Sequence, residues 1–185
     1  SGCNLRCRYC DTTYAYGSGQ TMTSGEILAR VEALGASLVE VTGGEPLCQP
    51  GTPALLNRLA ARFPTVLLET NGSLPLPPRR RYHTILDVKC PGSGESDKMH
   101  WPNLDRLRGG DEVKFVVSHR ADFDWTVQTI LERRLQREGI ALLVAPAAGR
   151  VEPRVLADWI LATGLPLRLQ LQLHRVLWPD RDRGV

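Results

Sequence analysis

The sequence predicts an α/β protein in which parallel strands with helices outside close only part of a (β/α) barrel. Three observations carry this reading. Strand-like and helix-like segments alternate along the chain, the order that builds βα units. Several strand segments are apolar enough to be buried on both faces, as strands of a parallel sheet are. About six strands are visible, too few for the eight of a closed barrel.

In chain order, Thr23 followed by Glu26 makes a capping-box start, and Ile27, Leu28, Val31 and Leu34 form one helical stripe that Gly35 ends. Leu38 to Thr42 is a strand, broken by Gly43-Gly44. A helix fits Thr52 to Phe63, with Thr52 as its cap and Pro53 in its first turn. Thr65 to Thr70 and His83 to Lys89 are strands, followed by a long loop with a short helical turn near Leu104. Glu112 to Val117 is a strand, Asp122 to Glu138 a long helix, and Ile140 to Val144 a strand. Glu152 to Ala162 is a helix, and Leu167 to Leu173 the last strand. No repeat, low-complexity tract or linker divides residues 1–185, which read as one domain. The chain opens directly before a cysteine cluster, where an α/β protein would place a strand; a first strand is expected ahead of Ser1.

Composition narrows the function. With 42% apolar and 23% charged residues, the 185-residue chain has a globular balance and is no disordered tail. The net charge is only +3, with the basic residues scattered, which argues against a nucleic-acid binder. No run approaches the ~18 apolar residues of a membrane span, and no charged head leads into an apolar stretch. A cytoplasmic protein is expected. Five cysteines, three of them in the first ten residues, do not make a secreted disulfide framework.

Those three are the main chemical signal. Cys3, Cys7 and Cys10 give C-x3-C-x2-C. Three thiolates on one short loop can hold three irons of a cubane cluster and leave the fourth iron open. The competing reading is structural zinc, which wants a fourth ligand at matched spacing. Cys48 and Cys90 lie far off in sequence and read as packed or incidental thiols. Thr42-Gly43-Gly44-Glu45-Pro46 follows an apolar strand. Paired glycines there let a ligand approach the backbone, and the Glu45 carboxylate could accept from a ligand's ammonium group.

The cysteine loop followed one strand later by GGEP resembles the radical S-adenosylmethionine (SAM) superfamily. Within it, Cys10-Asp11-Thr12-Thr13-Tyr14-Ala15, Glu69-Thr70-Asn71-Gly72, Asp87-Val88-Lys89 with Cys90 to Ser96, and Leu171-Gln172-Leu173-His174 with Trp178 are similar to the 7-carboxy-7-deazaguanine synthase family of queuosine and 7-deazapurine biosynthesis. The resemblance implies a lyase in which Cys3, Cys7 and Cys10 ligate a [4Fe-4S] cluster whose open iron chelates SAM. Tyr9, Asp11, Gly43, Gly44, Glu45, Asp87, Val88, Lys89 and Pro146 would line the SAM site. Thr12 would ligate Mg2+, and Thr42, His174 and the C-terminal Val185 would contact the substrate. It further implies 6-carboxy-5,6,7,8-tetrahydropterin as substrate and a 5′-deoxyadenosyl radical that starts its ring contraction. An electron donor such as flavodoxin and a homodimer are the implied partners. Two rivals stand beside it: an activase installing a glycyl radical on a partner protein, and a non-catalytic zinc-binding module.

The remaining conspicuous residues read as structural. His83 is a strand-entry residue and His119 an exposed loop residue; Trp125 and Trp159 fall on core stripes. Arg79-Arg80-Arg81 reads as a solvated loop.

Overall fold

A computed structural model describes residues 1–181 apart from Ser18 and Arg79. Its six strands are β1 (Leu38–Val41), β2 (Thr65–Thr70), β3 (His83–Val88), β4 (Glu112–Val117), β5 (Ala141–Pro146) and β6 (Leu167–Leu169). They form one sheet in the order β1-β2-β3-β4-β5-β6, with every neighbouring pair parallel. Chain order therefore equals spatial order, as right-handed βα connections produce in a barrel wall. The partial barrel expected from the alternation is what forms.

The helices are α1 (Ser24–Ala33), α2 (Thr52–Ala60), α3 (Arg120–Glu132), α4 (Pro153–Thr163) and a short α5 (Leu173–Leu177). At the start of α1 the expected capping box is complete, with the Thr23 hydroxyl accepting from the Glu26 N–H and the Glu26 carboxylate accepting from the Thr23 N–H. The core joins the outer face of the sheet to the helices, with Leu56, Leu68, Val113, Phe115, Val144 and Leu156 fully buried. Trp125 and Trp159 pack against its edge, half-buried.

Four local expectations change. Helix α3 stops at Glu132, six residues early, because Arg134 turns to φ 52° and its neighbours fold into tight turns. Strand β6 stops at Leu169, and the alternation that continues to Leu173 belongs to a segment leaving the sheet and entering α5. Gly51 caps α2, while Thr52 sits inside it and donates its hydroxyl to the Pro46 carbonyl. Arg80 is no solvated residue: its side chain is 4% exposed and pairs with the fully buried Asp111 at 3.0 Å. Asp111 also accepts from the Thr84 and Arg108 N–H groups, so the buried ion pair ties β3 to the turn before β4.

His83 opens β3, as expected. His119 does more than sit in a loop: its Nδ1 accepts from the Asp122 N–H and caps α3.

Candidate active site

The cysteine loop is laid across the C-terminal ends of the strands, where parallel α/β proteins gather their sites. Leu5 is buried at 2% exposure and roots the loop in the protein. The Arg8 N–H donates to the Ser93 carbonyl at 3.0 Å, and the Arg6 N–H to the Glu95 carboxylate at 2.6 Å. Gly2 bonds Ala15 on one side and accepts from the Glu45 N–H on the other. This last contact explains the paired glycines. A Cβ on Gly44 would land on the Gly2 carbonyl, and Gly43 has φ +132°, a conformation that side chains rarely adopt.

Cys3, Cys7 and Cys10 are unpaired, partly buried thiols that line one cavity of about 530 Å3. Most of the expected residues meet there. Tyr9, Asp11 and Thr12 come from the loop, and Thr42, Gly43 and Gly44 from the end of β1. Asp87, Lys89, Pro146 and His174 close the ring from β3, β5 and α5. Asp11 is clamped between the Thr12 hydroxyl, which donates to it at 2.9 Å, and the Gln172 amide. The Tyr9 hydroxyl donates to the Val116 carbonyl at 3.1 Å and pins the loop to β4.

Two expected residues do not line the cavity. Val88 is fully buried, because alternation along β3 turns it to the helix side while Asp87 and Lys89 face inward. Glu45 is 1% exposed. Its carboxylate accepts from the Leu47 N–H at 2.9 Å, the Thr70 hydroxyl at 2.8 Å and the Asn71 N–H at 2.7 Å. It staples the GGEP turn to the end of β2 and has no face toward the cavity. Burial raises its pKa above the ordinary carboxylate value despite these donors. Val185 lies outside the described residues.

The cavity also holds charged residues that were not among the expected ligand contacts. Glu40 on β1, Glu69 on β2 and Lys114 on β4 point inward, and Lys114 bonds Glu69 at 2.6 Å. Partial desolvation, then the adjoining Glu69 carboxylate, push Glu40 up to about 7. Nearer the mouth, Lys89 bonds Asp87 at 2.8 Å. Burial works against the Lys89 charge, but Asp87 holds it protonated above its ordinary value. Burial likewise pushes the Cys7 thiol up to about 11, with Lys89 opposing.

The donor set fits a [4Fe-4S] cluster and SAM. Three soft sulfur ligands from one short loop open on one cavity, the donor type an iron–sulfur cluster takes, although among the described residues no three His, Cys, Asp or Glu side chains, these thiols included, form a ready metal cage. Beside them, Asp87 Oδ1 and Gln170 Oε1 are buried without a hydrogen-bond partner. A buried acceptor without a donor is costly, and hydroxyl or ammonium groups of a ligand would satisfy both.

A cysteine triad over the open end of a six-stranded parallel partial barrel defines a radical SAM enzyme, and the family model described as "Radical SAM superfamily" matches residues 1–91. Among solved structures, QueE from Escherichia coli superposes with TM-score 0.70 at 19% identity, over 91% of this chain and 81% of that one. Streptococcus suis SuiB bound to its precursor peptide SuiA gives 0.66 at 13% identity, over 96% and 48%. Both show the shared fold. The 7-carboxy-7-deazaguanine synthase of Chlorobaculum tepidum is 44% identical over all of this chain and 86% of the relative, and that of Koribacter versatilis 38% identical over 100% and 88%. The chain belongs to the 7-carboxy-7-deazaguanine synthase family. That membership displaces the activase and the zinc module. Among the described residues, no helix is long and apolar enough to cross a membrane.

Proposed function

We propose that the chain converts 6-carboxy-5,6,7,8-tetrahydropterin to 7-carboxy-7-deazaguanine with loss of ammonia. The observation that carries the reading is one cavity holding three unpaired thiols and an orphaned buried acceptor, in a chain 44% identical throughout to a synthase of that name. The cluster and SAM, when bound, supply the one-electron chemistry that abstracts hydrogen from the substrate.

The protein binds, orients and excludes water. Cys3, Cys7 and Cys10 hold the cluster. Gly43 and Gly44 let SAM approach the backbone, with Tyr9, Asp11, Lys89 and Pro146 around it and Asp87 Oδ1 as an acceptor for it. Thr42 and His174 contact the pterin. Thr12 offers Mg2+ a hard oxygen ligand beside the cluster, since its hydroxyl proton is given to Asp11 and its lone pairs stay free. An electron donor of the flavodoxin class reduces the cluster, and the working protein is a cytoplasmic homodimer.

Anaerobic incubation with SAM, reductant and the pterin, with product mass as readout, tests the reading. The ring-contracted product is expected; an unchanged pterin beside consumed SAM would overturn it.

A further inference from the structure

The three thiolates do not stand alone. Asn71, 7% exposed at the end of β2, donates from Nδ2 to the Cys3 sulfur at 3.7 Å. Which way the amide faces is determined by its neighbour. The Ser73 backbone N–H can only donate, and it reaches Asn71 Oδ1 at 3.0 Å, with the Ser73 hydroxyl on the same oxygen at 2.6 Å. The NH2 end must then face the cysteine loop, where it also meets Asn4 Oδ1 at 3.1 Å. Asn4 closes a ring by donating from Nδ2 to the Ser73 hydroxyl at 2.8 Å. Each member of the ring both gives and accepts, an arrangement in which hydrogen bonds strengthen one another. On the far side of the loop, the Arg6 guanidinium lies 4.4 Å from the Tyr16 ring centroid.

The geometry points to Asn71 as a positioning residue for the cluster's electron chemistry: its amide, locked by the Asn4–Ser73 ring, donates to the Cys3 thiolate and raises the reduction potential of the cluster. Hydrogen bonds to ligand sulfurs are among the levers that set iron–sulfur potentials. The reduced cluster carries one more negative charge than the oxidised one, so a donor stabilises it more. The inference rests on the reading that Cys3, Cys7 and Cys10 carry a [4Fe-4S] cluster.

Asn71→Leu isolates the donor: it removes the NH2 that faces Cys3 without placing a charge beside the cluster, and Asn71→Ala does the same with a smaller side chain. Ser73→Ala leaves the Asn71 amide in place, still oriented by the Ser73 backbone N–H, and removes only the hydroxyl from its lock. The experiment is an anaerobic, EPR-monitored redox titration of the reconstituted proteins, with iron and sulfide counted per chain. The potential is read only from molecules that hold a cluster, so incomplete loading does not distort it. Asn71→Leu is expected to disfavour reduction roughly tenfold, about 59 mV for one electron. Ser73→Ala should move the same way by less. Should Asn71→Leu fail to load, Asn71→Ala decides in its place. A wild-type potential in a loaded Asn71 variant overturns the inference. A wild type without a four-iron cluster fails the underlying reading instead, so the two failures are distinct.

Discussion

Replacing Glu45 with Gln exchanges one carboxylate oxygen for an NH2 in a pocket that presents three donors and no acceptor. Oε1 receives the Leu47 N–H and the Thr70 hydroxyl, and Oε2 the Asn71 N–H. A Gln side chain can satisfy the first two with its carbonyl oxygen. Its NH2 then opposes the Asn71 N–H, and that buried donor goes unpaired at a cost of about 1–3 kcal/mol. For a chain of this size each kcal/mol lowers Tm by about 2–4 °C, so Tm should fall by roughly 2–12 °C. The cavity keeps its lining, since Glu45 is not part of it. Differential scanning fluorimetry and SAM equilibrium binding, run anaerobically on the same preparations, separate stability from ligand contact. Lower Tm with near-normal SAM affinity is expected. Unchanged Tm with SAM affinity down tenfold or more would refute the staple and return Glu45 to the ligand's ammonium group.

Gly44→Ala should prevent stable cluster loading, because its Cβ displaces the Gly2 carbonyl next to Cys3; iron per chain checks this. Thr12→Ala should keep cluster and SAM but lose most of any Mg2+ stimulation of turnover, whereas Thr13→Ala, outside the cavity lining, should keep it. Glu40 sits at about 7 in the fold against an ordinary 4.5. A carboxyl raised in this way contributes stability that is complete below about pH 4.5 and lost as pH rises through about 7. Urea midpoints should therefore decline across that window, less steeply in Glu40→Gln; identical slopes would contradict the assignment.

Strands were legible because apolar runs such as VLLE and KFVV end at glycine or polar residues, and a parallel sheet leaves little else for such runs to do. The cysteine loop was legible from its spacing together with the GGEP turn one strand later. What escaped depended on contacts distant in sequence. Glu45 looked like a ligand because its partners Thr70 and Asn71 lie 25 and 26 residues on. Arg80 looked solvated because its partner Asp111 is 31 residues away. LRLQLQL alternates to its end, but pairing with β5 stops at Leu169, and Gln170 and Gln172 then serve the cavity. Glu40, Glu69 and Lys114 did leave a signal: each is a charged residue at an inward position of a largely apolar strand.

The central claim is that Cys3, Cys7 and Cys10 alone hold the cluster that powers the ring contraction. It is tested most directly by measuring iron, sulfide and ring-contracted product in parallel for wild type, Cys7→Ala and Cys48→Ala. Wild type and Cys48→Ala should carry about four irons per chain and form product, while Cys7→Ala should lose the stable cluster and form none. Product from Cys7→Ala, or loss of the cluster from Cys48→Ala as complete as from Cys7→Ala, would contradict the account.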